Sequence, residues 1–225
     1  VGFNNIDIDA AGKKGIYVTN TPGVLTESTA DTAFALLITA ARRIIECDKF
    51  MREGKFIGWD PLLLLGMEMN GKTVGIIGAG RIGSALARRC SGFNMKILYY
   101  NLSKNEYLEN TLKAKKVGLK TLLQKSDFIS IHVPLNKDTF HLIGKKEIEL
   151  MKKTAVFVNT ARGEVVDEKE LIKALKSKKI FAAGFDVYEG EPNVNKELFK
   201  LNNVVLLPHV GSATFESRSK IAELA

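Results

Sequence analysis

The stretch Lys72-Thr73-Val74-Gly75-Ile76-Ile77-Gly78-Ala79-Gly80-Arg81-Ile82-Gly83-Ser84-Ala85-Leu86 decides the reading of this chain. A short apolar run, Thr73–Ile77, has the length and β-branched content of a buried strand and runs directly into glycines spaced G-x-G-x-x-G. From Ile82 the apolar spacing turns helical. In a strand-turn-helix context each glycine has a physical task. Gly78 permits the tight turn, Gly80 lets backbone approach a pyrophosphate, and Gly83 lets helix and strand pack closely. The helix start then offers free N–H groups and a partial positive charge to an anion. Arg81 and Ile82 are candidate phosphate contacts by position. A bare glycine turn without a ligand is the alternative, because the spacing alone arises in many loops.

Outward from this motif, apolar runs alternate with helical patterns. Strands are predicted at residues 73–77, 96–100, 128–132, 155–159, 181–185 and 204–207, and helices at 82–93, 145–151 and 168–175, the last capped by Asp167. Six strands with helical crossovers predict an α/β fold, a doubly wound parallel sheet of Rossmann type. Upstream, a β signal at 16–19 leads to the Pro22-Gly23 turn. A long helix with a broad apolar face follows, capped by Thr26, before Gly54, Gly58 and Pro61 break the pattern.

The chain has 225 residues, 45% hydrophobic and 26% charged, with two cysteines, Cys47 and Cys90, which excludes a disordered or disulfide-stapled chain and favours a reducing, cytoplasmic setting. Neither a leader nor a run long enough to span a membrane is read from it, the longest apolar run being residues 33–38. Net charge is +8, with −2 on residues 1–71 and +10 on 72–225, so the positive field lies where an anionic ligand would bind. The same excess would suit nucleic acid, but no zinc pattern, RNP-like aromatic motif or basic recognition helix accompanies it. His132, His141 and His209 lack metal-ligand spacing, no G-x-S-x-G is present, and no metal site is predicted.

About 20 residues after the glycines, dinucleotide sites usually place an acidic residue on the adenosine ribose 2′-hydroxyl. Here the position holds Asn101, followed by Leu102, Ser103 and Lys104. Without a carboxylate to repel a 2′-phosphate, and with Asn101, Ser103 and Lys104 to receive one, NADP is favoured over NAD. Asn101 bonding the ribose diol of either cofactor is the alternative. At or beyond predicted strand ends stand Arg162 in Asn159-Thr160-Ala161-Arg162-Gly163, Glu191 in Asp186-Val187-Tyr188-Glu189-Gly190-Glu191-Pro192, and His209 in Pro208-His209-Val210-Gly211. An arginine fork suits a substrate carboxylate, and a histidine beside a carboxylate suits proton transfer.

These motifs, with Val1-Gly2-Phe3-Asn4-Asn5-Ile6-Asp7, Thr21-Pro22-Gly23-Val24-Leu25-Thr26-Glu27 and Gly58-Trp59-Asp60-Pro61, resemble the D-isomer-specific 2-hydroxyacid dehydrogenases, closest to the glyoxylate and hydroxypyruvate reductase branch. The resemblance implies a catalytic set of Arg162, Glu191 and His209, with Glu191 orienting His209. Hydride would come from NAD(P)H to a small 2-oxoacid. It also implies cofactor contacts from Asp186 (nicotinamide carboxamide), Pro134 (adenine end), Thr160 and Gly211, and a homodimer through helix 26–53. Residues 1–24 would be the remnant of a substrate domain, 25–212 the dinucleotide domain, and 213–225 the start of a helix returning toward the substrate domain. The family's substrate domain is longer, so a truncated chain is expected. A dinucleotide-sensing, corepressor-like binding protein on the same fold is the alternative function.

Overall fold

The computed structural model describes residue 2 and residues 5–225; Val1, Phe3 and Asn4 of the opening motif lie outside the described residues. Three helices come first: α1 (Ile8–Lys13), α2 (Thr26–Ala41) and α3 (Ile44–Arg52). The sheet unit then runs β1 (Thr73–Ile77), α4 (Arg81–Ser91), β2 (Lys96–Tyr100), α5 (Glu106–Leu112), β3 (Lys115–Lys116), α6 (Leu119–Lys125) and β4 (Phe128–Ile131). It continues through α7 (Lys145–Leu150), β5 (Val156–Asn159), α8 (Glu168–Lys176), β6 (Ala182–Phe185), β7 (Val204–Leu206) and α9 (Phe215–Leu224).

All strand pairs are parallel, in the order β3-β2-β1-β4-β5-β6-β7. The doubly wound sheet predicted from the sequence is therefore present, with one more strand than expected. Because strands alternate their faces, β1 sends Val74 and Ile76 to one side with Leu36, Leu37 and Leu86. It sends Ile77 to the other side with Ile129, Phe157 and Leu171. Both faces are covered at the centre of the sheet, which is why β1, β4 and β5 read as continuous apolar runs. The chain leaves β1 toward β2 and β3, then crosses back to place β4 on β1's other side. The loops after β1 and β4 thus flank a switch-point crevice at the strand C-termini.

Three upstream expectations are corrected. Residues 16–19 form no strand, since the segment pairs with none of the strands described. Thr26 is the first helical residue and not the cap; Leu25 occupies the cap position and makes no side-chain bond there. The helix expected over 26–53 is broken at Arg42–Arg43. The chain returns from the 58–66 excursion and Met67 N–H donates to the Ala41 carbonyl at 2.8 Å, taking an acceptor that helix continuation needs. Arg43 turns left-handed (φ 54°) and clasps Glu46 through both guanidinium arms.

The bottom of the sheet is closed by Asp127. Its carboxylate accepts from the Thr73 N–H at 3.0 Å and from Lys152 Nζ at 2.8 Å, joining β1, β4 and the segment before β5. Burial opposes its ionisation, but Lys152 and the Thr73 N–H hold its pKa below the ordinary carboxylate value. A depressed carboxylate pKa contributes stability above the unfolded value of ~3.9 and loses it as pH falls through the folded value. Asp127→Asn is expected to cost about 1–3 kcal/mol at pH 7 in urea unfolding, with the difference from wild type shrinking toward pH 3.

Candidate active site

The glycine loop is built as the motif requires. Gly78 has φ 96°, and a Cβ there would lie 2.7 Å from the His132 carbonyl carbon and from Val133 N, so the loops after β1 and β4 touch through backbone. A Cβ on Gly83 would lie 2.2 Å from the Gly78 carbonyl oxygen. At Gly80 a Cβ would meet nothing within 4 Å, so that face of the loop opens outward. The first intrahelical bond is Ser84 N–H to Gly80 O, which leaves the N–H groups of Arg81, Ile82 and Gly83 for an anion.

Around this loop stand groups of two kinds. Asn105 is one that sequence reading missed. Its amide donates to Ala79 O at 2.8 Å and Ser84 Oγ at 2.9 Å while its Oδ1 caps α5, tying the loop after β2 to the glycine turn. Asn101 donates to Ser103 O at 3.2 Å; Ser103 and Lys104 are exposed. Lys116 on β3, also unforeseen, reaches Leu102 O at 2.9 Å and brings a second cation to this loop. Pro134 is exposed beyond β4, its carbonyl accepting from Thr139 Oγ1. Thr160, just past β5, is only 8% exposed, and its hydroxyl is buried without a hydrogen-bond partner. A buried polar atom of that kind calls for a group to complete it. With the open N–H groups and the outward face of Gly80, it makes these residues fit a dinucleotide.

The second half of the site lies past β5, β6 and β7. His209 Nδ1 is 2.8 Å from Glu191 Oε2, and the other Glu191 oxygen accepts from Tyr188 N–H at 2.8 Å. His209 is in the left-handed region (φ 54°), an uncommon conformation for a residue with a Cβ. The strain is offset by Asp186, whose two carboxylate oxygens accept from Val210 and Gly211 N–H, each at 2.7 Å. Burial nevertheless pushes the Asp186 pKa up against those two bonds. Asp186 is 1% exposed and Gly211 lies against it, so the structure puts both in the loop's foundation. Arg162 begins the turn after Asn159, which bonds the Arg162 carbonyl and the Ala161 N–H. Immediately after it, a Cβ on Gly163 would lie 1.9 Å from the Tyr188 carbonyl carbon. The Arg162, Glu191 and His209 loops therefore form one contact unit. His132 lies apart, its Nε2 2.9 Å from Ser130 Oγ, and burial pushes its pKa down to about 3.

The model of the D-isomer specific 2-hydroxyacid dehydrogenase NAD binding domain matches residues 34–211. The chain belongs to the D-isomer specific 2-hydroxyacid dehydrogenase family. It is 58% identical to the glyoxylate reductase of Thermococcus litoralis over 228 residues, covering all of this chain and 69% of that relative. Among solved structures it resembles a glyoxylate reductase from Paecilomyes thermophila (42% identity, TM-score 0.91, 100% of this chain and 67% of that one). It also resembles an NADPH-dependent glyoxylate/hydroxypyruvate reductase from Sinorhizobium meliloti, solved with NADP and malonate (36% identity, TM-score 0.90, 100% and 69%). The family's domain is a dinucleotide one, and this chain is an NAD(P)-binding oxidoreductase fold. Among the described residues no helix is long and apolar enough to cross a membrane.

Gly163→Ala tests the contact unit. Since the added methyl meets backbone, the cost is expected to reach at least the ~1–3 kcal/mol typical of overpacking. A lowered melting temperature together with altered His209 ring resonances is the expected outcome. A variant matching wild type in both would remove the contact from the account.

Proposed function

We propose that this chain carries the cofactor domain and catalytic set of a reductase that converts a small 2-oxoacid, glyoxylate or hydroxypyruvate, to a D-2-hydroxyacid with NAD(P)H. The observation that carries the reading is the His209–Glu191 pair, 2.8 Å apart, in the same contact unit as the Arg162 turn at the C-terminal edge of the sheet. The names of the relatives agree with it, and the corepressor-like alternative has no support among them.

The division of labour follows from the atoms. When bound, the reduced nicotinamide supplies the hydride for the substrate C2. Arg162 presents a planar fork to the substrate carboxylate and polarises the neighbouring carbonyl. His209 Nδ1 is held by Glu191, which leaves Nε2 to give its proton to the oxygen as it becomes an alkoxide. Gly78, Gly80, Arg81, Ile82 and Gly83 hold the pyrophosphate through backbone. Thr160 and Pro134 lie along the cofactor, and Asp186 and Gly211 support its nicotinamide end. Asn101, Ser103 and Lys104 favour a 2′-phosphate, which makes NADP the preferred form.

Residues 25–212 serve as the dinucleotide domain, with 1–24 the remnant of a substrate domain and 213–225 the start of a helix returning toward it. Ser217 Oγ donates to Val24 O and lies 2.9 Å from Ser28 Oγ, which brings those two end segments together. A homodimer through residues 26–53 would use α3 and the stretch after it more than α2. The α2 face is spent on its own sheet, whereas Ile45, Met51, Ile57 and Trp59 are exposed, Ile57 at 99%. A cytoplasmic location goes with two cysteines kept as thiols, Cys90 being buried with its pKa pushed up to about 12.

In the complete enzyme, His209→Ala is expected to lower kcat by roughly 10²–10⁴-fold while NADPH binding, read by fluorescence titration, persists. Equal loss of both would sink the proton-donor role. Asn101→Asp is expected to raise KM for NADPH by on the order of tenfold and favour NADH; an unchanged cofactor ratio would refute the 2′-phosphate assignment.

A further inference from the structure

A second histidine–carboxylate pair lies behind the first. His141 Nε2 is 3.0 Å from Glu189 Oε1, and Glu189 precedes Glu191 by two residues in the same turn. The other Glu189 oxygen accepts from the Glu168 N–H at 3.4 Å, and Glu168 returns the bond, its Oε2 accepting from the Glu189 N–H at 3.1 Å. Glu168 is only 6% exposed. Among the described residues no lysine or arginine pairs with it, and burial together with the nearby Glu189 charge pushes its pKa up. Burying a carboxyl group without a cation costs stability. Glu168 is the first residue of α8, so its reciprocal bonds with Glu189 tie the start of that helix to the 186–192 turn.

Three segments meet at this cluster. The first, after β4, places His141 N–H on Glu164 O at 2.8 Å and Ile143 N–H on Val165 O at 3.1 Å. The second is the turn from Gly163 into α8, where Asp167 N–H donates to Ile143 O at 3.0 Å. The third is the 186–192 turn, pressed onto Gly163 at Tyr188–Glu189. Arg162 stands at one end of this assembly and Glu191 at the other. His141 itself is left-handed (φ 47°) and stacked on Phe140 at 4.1 Å between ring centroids, which fixes the direction of its ring.

We propose that His141, Glu189 and Glu168 form a positioning network that sets the distance between Arg162 and the Glu191–His209 pair, and thereby the turnover number. The proposal rests on the catalytic assignment made above. None of the three touches the reacting atoms; they act by holding the 186–192 turn against the Gly163 turn. Misplacing a reacting group by about an ångström costs roughly 100-fold in rate. An exposed surface pair would give no such effect.

The test is made on the complete enzyme with glyoxylate and NADPH. Glu189→Ala is expected to lower kcat by roughly 10–100-fold, with cofactor affinity and KM for NADPH unchanged. Glu189→Gln keeps a carbonyl oxygen for one of the two bonds and is expected to recover most of the rate. The His209 ring nitrogens, one of only three imidazoles in the chain, are expected to shift in ¹⁵N NMR spectra of the alanine variant and to return toward wild type in the glutamine variant. His141→Ala, at a side chain about a third exposed, repeats the kcat loss should Glu189→Ala not fold. Wild-type kcat in Glu189→Ala or His141→Ala overturns the network. So does a loss of kcat matched by an equal loss of cofactor affinity, or a glutamine variant no better than alanine. His209→Ala is measured beside them. If it stays active, the catalytic assignment fails and the network with it; if it is inactive while Glu189→Ala is fully active, the network alone fails.

Discussion

At position 78 any side chain would drive its first carbon to within 2.7 Å of backbone atoms of His132 and Val133. That near-contact joins the loops that follow β1 and β4, the two strands flanking the place where the sheet reverses its direction of growth. The glycine loop is arranged from there. The bare turn lets α4 begin directly above the sheet, Gly83 brings that helix down onto the Gly78 carbonyl, and the first N–H groups of α4 face the crevice. Asn105 then braces the turn from the β2 side. A parallel sheet gathers all its carboxyl ends on one edge, so the loops of the other strands open beside this central approach.

The His209 loop shows how the opposite wing is kept in place. A histidine with positive φ and half its side chain exposed is not held by packing. It is held because Asp186, anchored at the end of β6, takes the next two backbone N–H groups, and Glu191 takes the ring. Charge-assisted bonds to backbone are strong and directional. A strained backbone persists where its surroundings over-determine it.

Six of the seven strands were legible as short apolar runs; β1, β4, β5 and β6 are buried at nearly every residue, while β2 and β7 are buried only at alternate positions. The seventh, β3, is Lys115–Lys116, two exposed lysines whose strand character comes only from pairing with β2. Residues 16–19 fail for the converse reason, having strand-like residues and no paired strand. The break at Arg42–Arg43 was hidden because its cause, Met67 on the Ala41 carbonyl, lies far along the chain. The short helices α1, α5 and α6 carry too few turns for a periodic signal. In the site, Arg162, Glu191 and His209 stood out because their residue types announce chemistry at strand ends. Asn105, Lys116, Glu168 and Glu189 did not, since each takes its meaning from a partner on another element.

The Asp127 clasp with Thr73 and Lys152 sits at the amino edge of the sheet, whereas the crevice occupies the carboxyl edge. The strands between them are four and five residues long, which at ~3.3 Å per residue separates the two ends by about 13–17 Å. At that distance the effects of substitutions add independently. One end of the molecule is therefore free to accumulate changes that adjust its tolerance of heat or acid, and the other to drift in substrate preference, without either constraining the other. For a scaffold reused across many chemistries, that separation amounts to evolvability.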